Sequence, residues 1–321
     1  MLTIQAMRAG GPDVLEAVDV PTPTPKPGQV LVRHEAIGLN YIDTYQRSGL
    51  YPMRYPAVLG QEAAGVVEAV GEGVSRFRRG DRVAYNGQGG YAEMNTVPEA
   101  RLVALPDGIS AETAAASLLK GMTTEFLLRR CYPLKPGETI LVHAAAGGVG
   151  TLLVQWAKAI GATVIGTVGT PEKAELARKL GCDHVLLYRD EDVPERVKEI
   201  TGDAGVPVAY DSVGKDTVEM TLASLARRGL FVSFGNASGP VPAIEPLRLS
   251  RGGSLYLTRP VLGDYVATPA ELADSAAALF SMIESGKLSI EIGQRFGLAD
   301  ARKAHEALEG RLTVGATVLT P

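Results

Sequence analysis

Through the first third of the chain, apolar and polar positions alternate in short runs: QVLVRHEAIGLN, AAGVVEAVG, DRVAYN and YAEMNTV, each bounded by Pro, Gly or Asp. A period of two interrupted by turn residues predicts β-strands, because successive strand side chains face opposite sides of a sheet. The Pro-rich PTPTPKPG, Pro21 to Gly28, has strand patterns on both sides and reads as a surface crossing within one domain. From about Leu105 the period lengthens. PDGISAETAAASLLKGMTTEFLLRR has helical spacing, a capping residue at Ser110, and Glu112 and Thr113 in the first turn.

After Gly137, strand and helix patterns take turns. TILVHA is followed by a helix from about Thr151 to Ile160, TVIGTV by one from about Pro171 to Leu180, HVLLY by one around Val193 to Ile200, and VPVAYDSV by one near Thr217 to Leu225. LFVSFG and SLYLTR complete the series. About six strands with intervening helices predict a doubly wound parallel sheet, since each parallel crossover needs a covering helix. In the tail, ELADSAAALFSMIESG and RFGLADARKAHEALEG predict two amphipathic helices, and GATVLT a last strand.

Composition narrows this picture. A chain of 321 residues exceeds what one core usually sustains, so two domains are expected. Its 45% hydrophobic and 21% charged content is that of an ordered globular protein. A net charge of -4 gives no basic field for a phosphate backbone, and Arg76-Phe77-Arg78-Arg79 reads as a solvated turn, which argues against nucleic acid as a main partner. The most apolar stretch, Ile140 to Val168, is broken by His143, Gln155 and Lys158, so no membrane span is expected. MLTIQAMRAGG lacks the plan of a signal peptide, and the two cysteines, Cys131 and Cys182, give no disulfide framework; a cytoplasmic, reducing setting is the expectation.

Candidate chemistry begins at VHAAAGGVGTLLVQWAKAIGATVIGTVGT, Val142 to Thr170, which follows an apolar strand and opens a helix as a dinucleotide-binding loop does. Such a loop needs small residues for a tight turn, for backbone N–H groups to approach a pyrophosphate, and for close helix–strand packing. Ala145, Gly147 and Gly150 are expected to fill these roles, with Gly148 and Val149 between them and alanine standing for glycine in the turn. Where a carboxylate would bind the adenosine ribose and repel a 2′-phosphate, the chain has Val168-Gly169-Thr170 and then Lys173. NADPH is therefore expected over NADH, with Lys173 as counter-charge or else as a plain exposed helix lysine.

The strings GLNYIDTYQRSGLYP, PAVLGQEAAGVVEAVG, GDRVAY, HAAAGGVG, YDSVGKDT and VSFGNASG, in order along nearly the whole chain, resemble the zinc-independent quinone oxidoreductases of the medium-chain dehydrogenase/reductase superfamily. The resemblance implies an α/β chain with a GroES-like β-rich catalytic domain from residues 1–120 and 263–321, a Rossmann domain from 121–262, and NADPH in the cleft. It implies a homodimer through the last Rossmann strand, near SLYLTR. It also implies cofactor contacts at Tyr188, Ser212, Phe234, Gly235, Asn236, Ser238 and Arg311, the last equally readable as an exposed helix-end arginine. In zinc-dependent members the metal is held by an early Cys, a His-Glu pair and a later Cys or acid. Here the early position is Asn40, the pair is Gln61-Glu62, and the four histidines, His34, His143, His184 and His305, are scattered, so no metal site is expected.

Without a Lewis acid, the substrate is expected to be a ready hydride acceptor, a quinone or an alkene conjugated to a carbonyl, and the resemblance implies that a quinone is reduced by hydride or by single-electron transfer. The resemblance sets the loop from Leu39 to Pro52, and Thr123, beside the nicotinamide. Asn40 and Tyr45 are candidate donors to the substrate oxygen or nicotinamide, and Tyr51 a candidate aromatic rim. Each tyrosine also fits plain packing, Thr123 a hydroxyl bonded to its own helix, Asp43 a structural cap, and His143 a satisfied core histidine. Two other readings stay open: a reductase of α,β-unsaturated aldehydes or ketones, and a non-catalytic structural protein that holds NADPH.

Overall fold

The structure, a computed structural model, describes residues 1–321. The chain divides into two compact units, Met1–Met122 with Val266–Pro321, and Thr123–Tyr265. These seams lie slightly beyond the limits 120/121 and 262/263 read from the sequence. The first falls inside a continuous helix, where no turn residue marks it, and the second directly follows a short helix that ends at Tyr265.

Unit 1 opens with β1 (Leu2–Ala6), β2 (Leu15–Asp19), β3 (Gln29–Leu39), α1 (Tyr41–Ser48), β4 (Ala57–Val58), β5 (Glu62–Val70), β6 (Arg82–Asn86), β7 (Met94–Pro98) and β8 (Leu102–Ala104). The seam lies within α2 (Ala111–Phe126). Unit 2 continues with β9 (Thr139–Val142), α3 (Gly148–Ile160), β10 (Thr163–Val168), α4 (Pro171–Lys179), β11 (His184–Leu187), α5 (Val193–Thr201), β12 (Val206–Asp211), α6 (Val218–Ser224), β13 (Leu225–Ser233), α7 (Pro246–Arg251), β14 (Tyr256–Thr258) and α8 (Leu262–Tyr265). The chain then returns to unit 1 as α9 (Pro269–Glu284), β15 (Ile292–Gly297), α10 (Ala301–Glu309) and β16 (Ala316–Thr320).

In unit 1, β3 is the hub. It pairs antiparallel with β5, β7 and β16, so strands from both ends of the chain share one seven-stranded sheet. A smaller sheet, β2-β1-β4, lies beside it in the same core, where Ile4, Val32, Leu59 and Tyr85 are buried together. The tail departs from the sequence expectation at one place: Arg295–Gly297, assigned there to the start of a helix, belongs to β15. Ile292, Gln294 and Phe296 are half-buried and alternate with exposed Gly293, Arg295 and Gly297, and the strand runs parallel to β16, so sheet pairing overrides helical spacing.

Unit 2 is a six-stranded, all-parallel sheet of order β11-β10-β9-β12-β13-β14. The order reverses direction between β9 and β12, the switch point at which open sheets of this kind bind ligands outside the strands' C-terminal ends. Leu141, Ile165, Ala209 and Phe231 form its buried core. Each fully buried large aliphatic or aromatic side chain of this kind contributes about 1.5–3 kcal/mol.

Candidate functional site

In unit 1 the substrate-side candidates begin where β3 ends. Asn40 is the residue between β3 and α1, in an extended conformation that leaves it at the helix N-cap. Its amide Nδ2 donates to Glu62 Oε2 at 2.8 Å and to the Gly38 carbonyl at 3.4 Å. Glu62 is fully buried, and its other oxygen accepts from the Leu119 N–H of α2 at 2.6 Å. The Lys120 ammonium closes the group at 3.2 Å from Glu62 Oε2 and is itself only 5% exposed. Gly38 makes room for this arrangement: a Cβ there would run into the Glu62 carboxylate and the Ala115 carbonyl. A buried carboxylate is tolerated only when paired and hydrogen-bonded, and Glu62 is both.

Tyr41 and Tyr45 on α1 and Tyr51 just after it form a tilted row. The Tyr41 and Tyr45 ring centroids are 6.0 Å apart, those of Tyr45 and Tyr51 5.3 Å, and the Tyr51 N–H donates to the Tyr45 carbonyl at 3.0 Å. Tyr45 is buried and Tyr51 half-buried. Asp43, on the first turn of α1, accepts from the Asn40 N–H at 2.9 Å, which makes it the cap that the sequence suggests. It also reaches beyond its own loop, accepting from the Tyr91 hydroxyl at 3.0 Å. Burial pushes its carboxyl up to about 7 against these donors and the Lys120 charge. Arg311, also in unit 1, is exposed after α10 with a left-handed φ of 58°, and its charge acts on Tyr41.

In unit 2 the candidates line the C-terminal ends of the parallel strands. Ala145 lies in the turn that follows β9, and its neighbour Ala144 carries the left-handed φ of 53°. Ala145 is fully buried and its N–H is spent on the Thr167 carbonyl at 3.1 Å, because the residue packs as the floor of the turn. Gly147 is the N-cap of α3, followed by Gly148, Val149 and Gly150 in its first turn. A Cβ on Gly150 would overlap the Ala144 carbonyl oxygen, so only glycine lets the helix approach the turn this closely.

At the next strand end, the Thr170 hydroxyl caps α4 by accepting from the Lys173 N–H at 3.4 Å. A Cβ on Gly169 would stand 3.4 Å from the half-buried Tyr188 ring, and exposed Arg189 lies 5.8 Å from that ring's centroid. Beyond the switch point, the loops after β12 and β13 are tied together. The Ala237 N–H donates to the Ser212 carbonyl at 3.1 Å, the Ser238 hydroxyl to the Val213 carbonyl at 2.9 Å, and Phe234, Gly235 and Asn236 lie in the same bend. His143, at the end of the phosphate-loop strand, bonds Thr167 Oγ1 at 2.8 Å and Thr221 Oγ1 at 2.9 Å, and burial holds it below its usual value against the pull of Asp211. Thr123 is buried in α2.

Sequence reasoning missed Lys120, Tyr91, Arg47, His305 and Arg189. Lys120 had a signal: it is a charge inside the apolar helical run AAASLLKGM, which marks a buried ion pair. Arg47 and His305 are separated by 258 positions, and no local pattern connects them.

Comparison with known proteins gives the lineage. Residues 26–107 match the family described as alcohol dehydrogenase GroES-like domain, and residues 148–280 the one described as zinc-binding dehydrogenase. The chain is 56% identical to the quinone oxidoreductase of Pseudomonas aeruginosa, covering 99% of each. It is 43% identical to a 2-haloacrylate reductase of a Burkholderia species, covering 98% of this chain and 97% of the relative. The crystal structure of Escherichia coli quinone oxidoreductase complexed with NADPH superposes with a TM-score of 0.98 at 49% identity, over 100% of both chains. Similarity this high along the full length of both sequences makes the chain an enzyme that belongs to the zinc-independent quinone oxidoreductases of the medium-chain dehydrogenase/reductase superfamily.

Proposed function

We propose that the enzyme reduces quinones with NADPH. The observation that carries this reading is the end of β10: Val168-Gly169-Thr170 bears no carboxylate on the strand, Gly169 lies against Tyr188, and the first turn of α4 brings up Lys173 together with Glu172, which bonds Thr170. The Gly147–Gly150 turn fits a dinucleotide as well, since Gly150 opens the approach to the N-terminus of α3, where helix dipole and backbone N–H groups favour a pyrophosphate. NADPH supplies the hydride when bound.

In unit 2 we assign the pyrophosphate to Gly147 through Gly150, the 2′-phosphate side to Gly169, Thr170 and Lys173, the adenine to Tyr188, and the nicotinamide side to Thr123, Ser212 and the Phe234–Ser238 bend. Arg311 of unit 1 is assigned to the cofactor too. On the acceptor side we assign Tyr45 and Tyr51, with Asn40 holding the start of their helix. Asn40 turns its amide nitrogen to Glu62, and Glu62 is closed by the Lys120 ammonium, which repels a second cation. Unit 1 thus brings rings and hydrogen bonds to an acceptor that is itself electron-poor.

The relative described as a 2-haloacrylate reductase supports a second acceptor class, alkenes conjugated to a carbonyl or carboxyl group. Pairing of two β14 edges is proposed for a homodimer, because Tyr256 at 61% and Leu257 at 40% exposure stand on the last strand of the sheet. No helix is long and apolar enough to cross a membrane, and a cytoplasmic location is proposed from the two free cysteines.

The test follows NADPH absorbance on adding an ortho-quinone or a conjugated enone in the presence of a chelator. The expected result is rapid oxidation, with NADPH well ahead of NADH. Lys173→Ala should raise the KM for NADPH about 10-fold, the usual worth of one charge-assisted contact, and leave that for NADH unchanged. Equal use of both cofactors by the unaltered enzyme would overturn the assignment of Lys173.

A further inference from the structure

We propose that Asp43 is a positioning residue of this reduction: it is the last acceptor in a one-way chain of hydrogen bonds that clamps α1 and so sets the place of Tyr45 and Tyr51. The proposal rests on the reading of the enzyme as an NADPH-dependent reductase and adds to it the group that holds the acceptor side.

The direction of the chain follows from one residue. The Arg47 guanidinium, 1% exposed, sits in a fork on Glu309 at 2.7 and 2.8 Å, and its NH1 also lies 2.9 Å from His305 Nδ1. Arginine only donates, so Nδ1 accepts and the ring proton is on Nε2. The ring is neutral: burial and the neighbouring Arg47 charge both hold it down, to about 3. Nε2 is 2.9 Å from the Tyr91 oxygen and therefore donates to it. The single Tyr91 proton is then committed to Asp43 Oδ2 at 3.0 Å, the atom that also accepts from the Asn40 N–H at 2.9 Å.

Asp43 Oδ2 consequently has two donors and no proton of its own. Any proton that the carboxyl carries is on Oδ1, which is fully buried and has no hydrogen-bond partner. The chain is a clamp and not a proton wire, because Arg47 does not release its proton. The charged groups that act on Asp43 are Lys120 from α2 and Glu62 from β5, of opposite sign; Arg47, on the next turn of α1, is paired with Glu309. With the carboxyl ionised, both hydrogen bonds to Oδ2 are charge-assisted and a negative charge stands at the α1 N-terminus; with Oδ1 protonated, both effects weaken.

Protonation of Asp43 should therefore loosen α1 and lower kcat/KM on the acid side of neutrality. Two measurements test this on the full chain. The first is the ¹³Cγ titration of labelled aspartates without cofactor, in which Asp43 is identified by its loss in Asp43→Asn. The second is the pH profile of quinone reduction for the unaltered enzyme, Asp43→Asn and Tyr91→Phe.

The expected result is a carboxyl that titrates near neutrality, with an acid limb in kcat/KM at the same midpoint. Asn at position 43 should give a flat profile about 10-fold below the plateau, the worth of one charge-assisted bond, with NADPH affinity unchanged. Phe at position 91 removes a donor to the ionised form and should move both midpoints to higher pH. A titrating Asp43 with activity indifferent to it overturns this inference alone, as does an acid limb that survives in Asp43→Asn. Failure of every quinone and enone to oxidise NADPH overturns the functional reading and this inference with it. Should Asp43→Asn not fold, Tyr91→Phe decides: midpoints that do not move overturn the proposal.

Discussion

The two units build the surroundings of their candidate residues from different material. Unit 2 uses backbone: a left-handed turn at Ala144, N–H groups at the start of α3, and small residues that let chain segments meet. Unit 1 uses buried charge: Glu62 with Lys120 and Asn40, and Asp43, Tyr91, His305, Arg47 and Glu309 in sequence. A backbone cradle tolerates many side chains and few extra carbons. A buried charge group tolerates changes of shape and few changes of charge.

The largest expected effect breaks the comparison on the charge side. Lys120→Met removes the counter-charge of a fully buried carboxylate and should cost about 3–5 kcal/mol in denaturant unfolding. The double change Lys120→Met with Glu62→Gln should recover most of this, since no uncompensated charge is then left. Recovery of less than about a third of the loss would mean that shape, not charge, holds this corner.

Gly150→Ala adds one carbon to the cradle. It should weaken NADPH binding about 100-fold by calorimetry, as expected when a contact surface shifts by about 1 Å, while leaving the unit 1 titrations untouched. The smallest effect is of opposite sign. Ala144→Gly relieves a left-handed alanine worth about 1–2 kcal/mol, partly offset by about 0.5–1 kcal/mol of glycine entropy, so the Tm should rise by about 1–2 °C. A fall in Tm would show that the Ala144 methyl contributes packing that outweighs the strain.

The same contrast explains what the sequence could tell. The parallel sheet, its helices and the glycine spacing of the loop are local patterns, and their order in unit 2 matches the alternation of strand and helix periods. The left-handed backbone at Ala144 was not legible, because Ala144 and Ala145 are both alanines and only the burial of Ala145 in the fold separates them. In unit 1 Asn40, Tyr45 and Tyr51 are singled out because the string that holds them resembles the family's loop beside the nicotinamide. Their supports are not. Glu62 bonds across 58 positions to Lys120, and Tyr91 across 214 to His305, pairings that only the completed fold brings about.

The way unit 1 is assembled also bears on synthesis. β16, the final strand, pairs with the end of β3 through Thr317↔Leu39, next to Asn40, and His305 and Glu309 come from the helix just before it. Unit 2 is one continuous segment, so its sheet can form while the ribosome is still working on the tail. Unit 1 must keep its first 122 residues waiting, strand edge of β3 open, until the last residues emerge. The unit 1 sheet is thus completed last, and a chain terminated early would carry a finished parallel sheet in unit 2 beside an unpaired edge on β3.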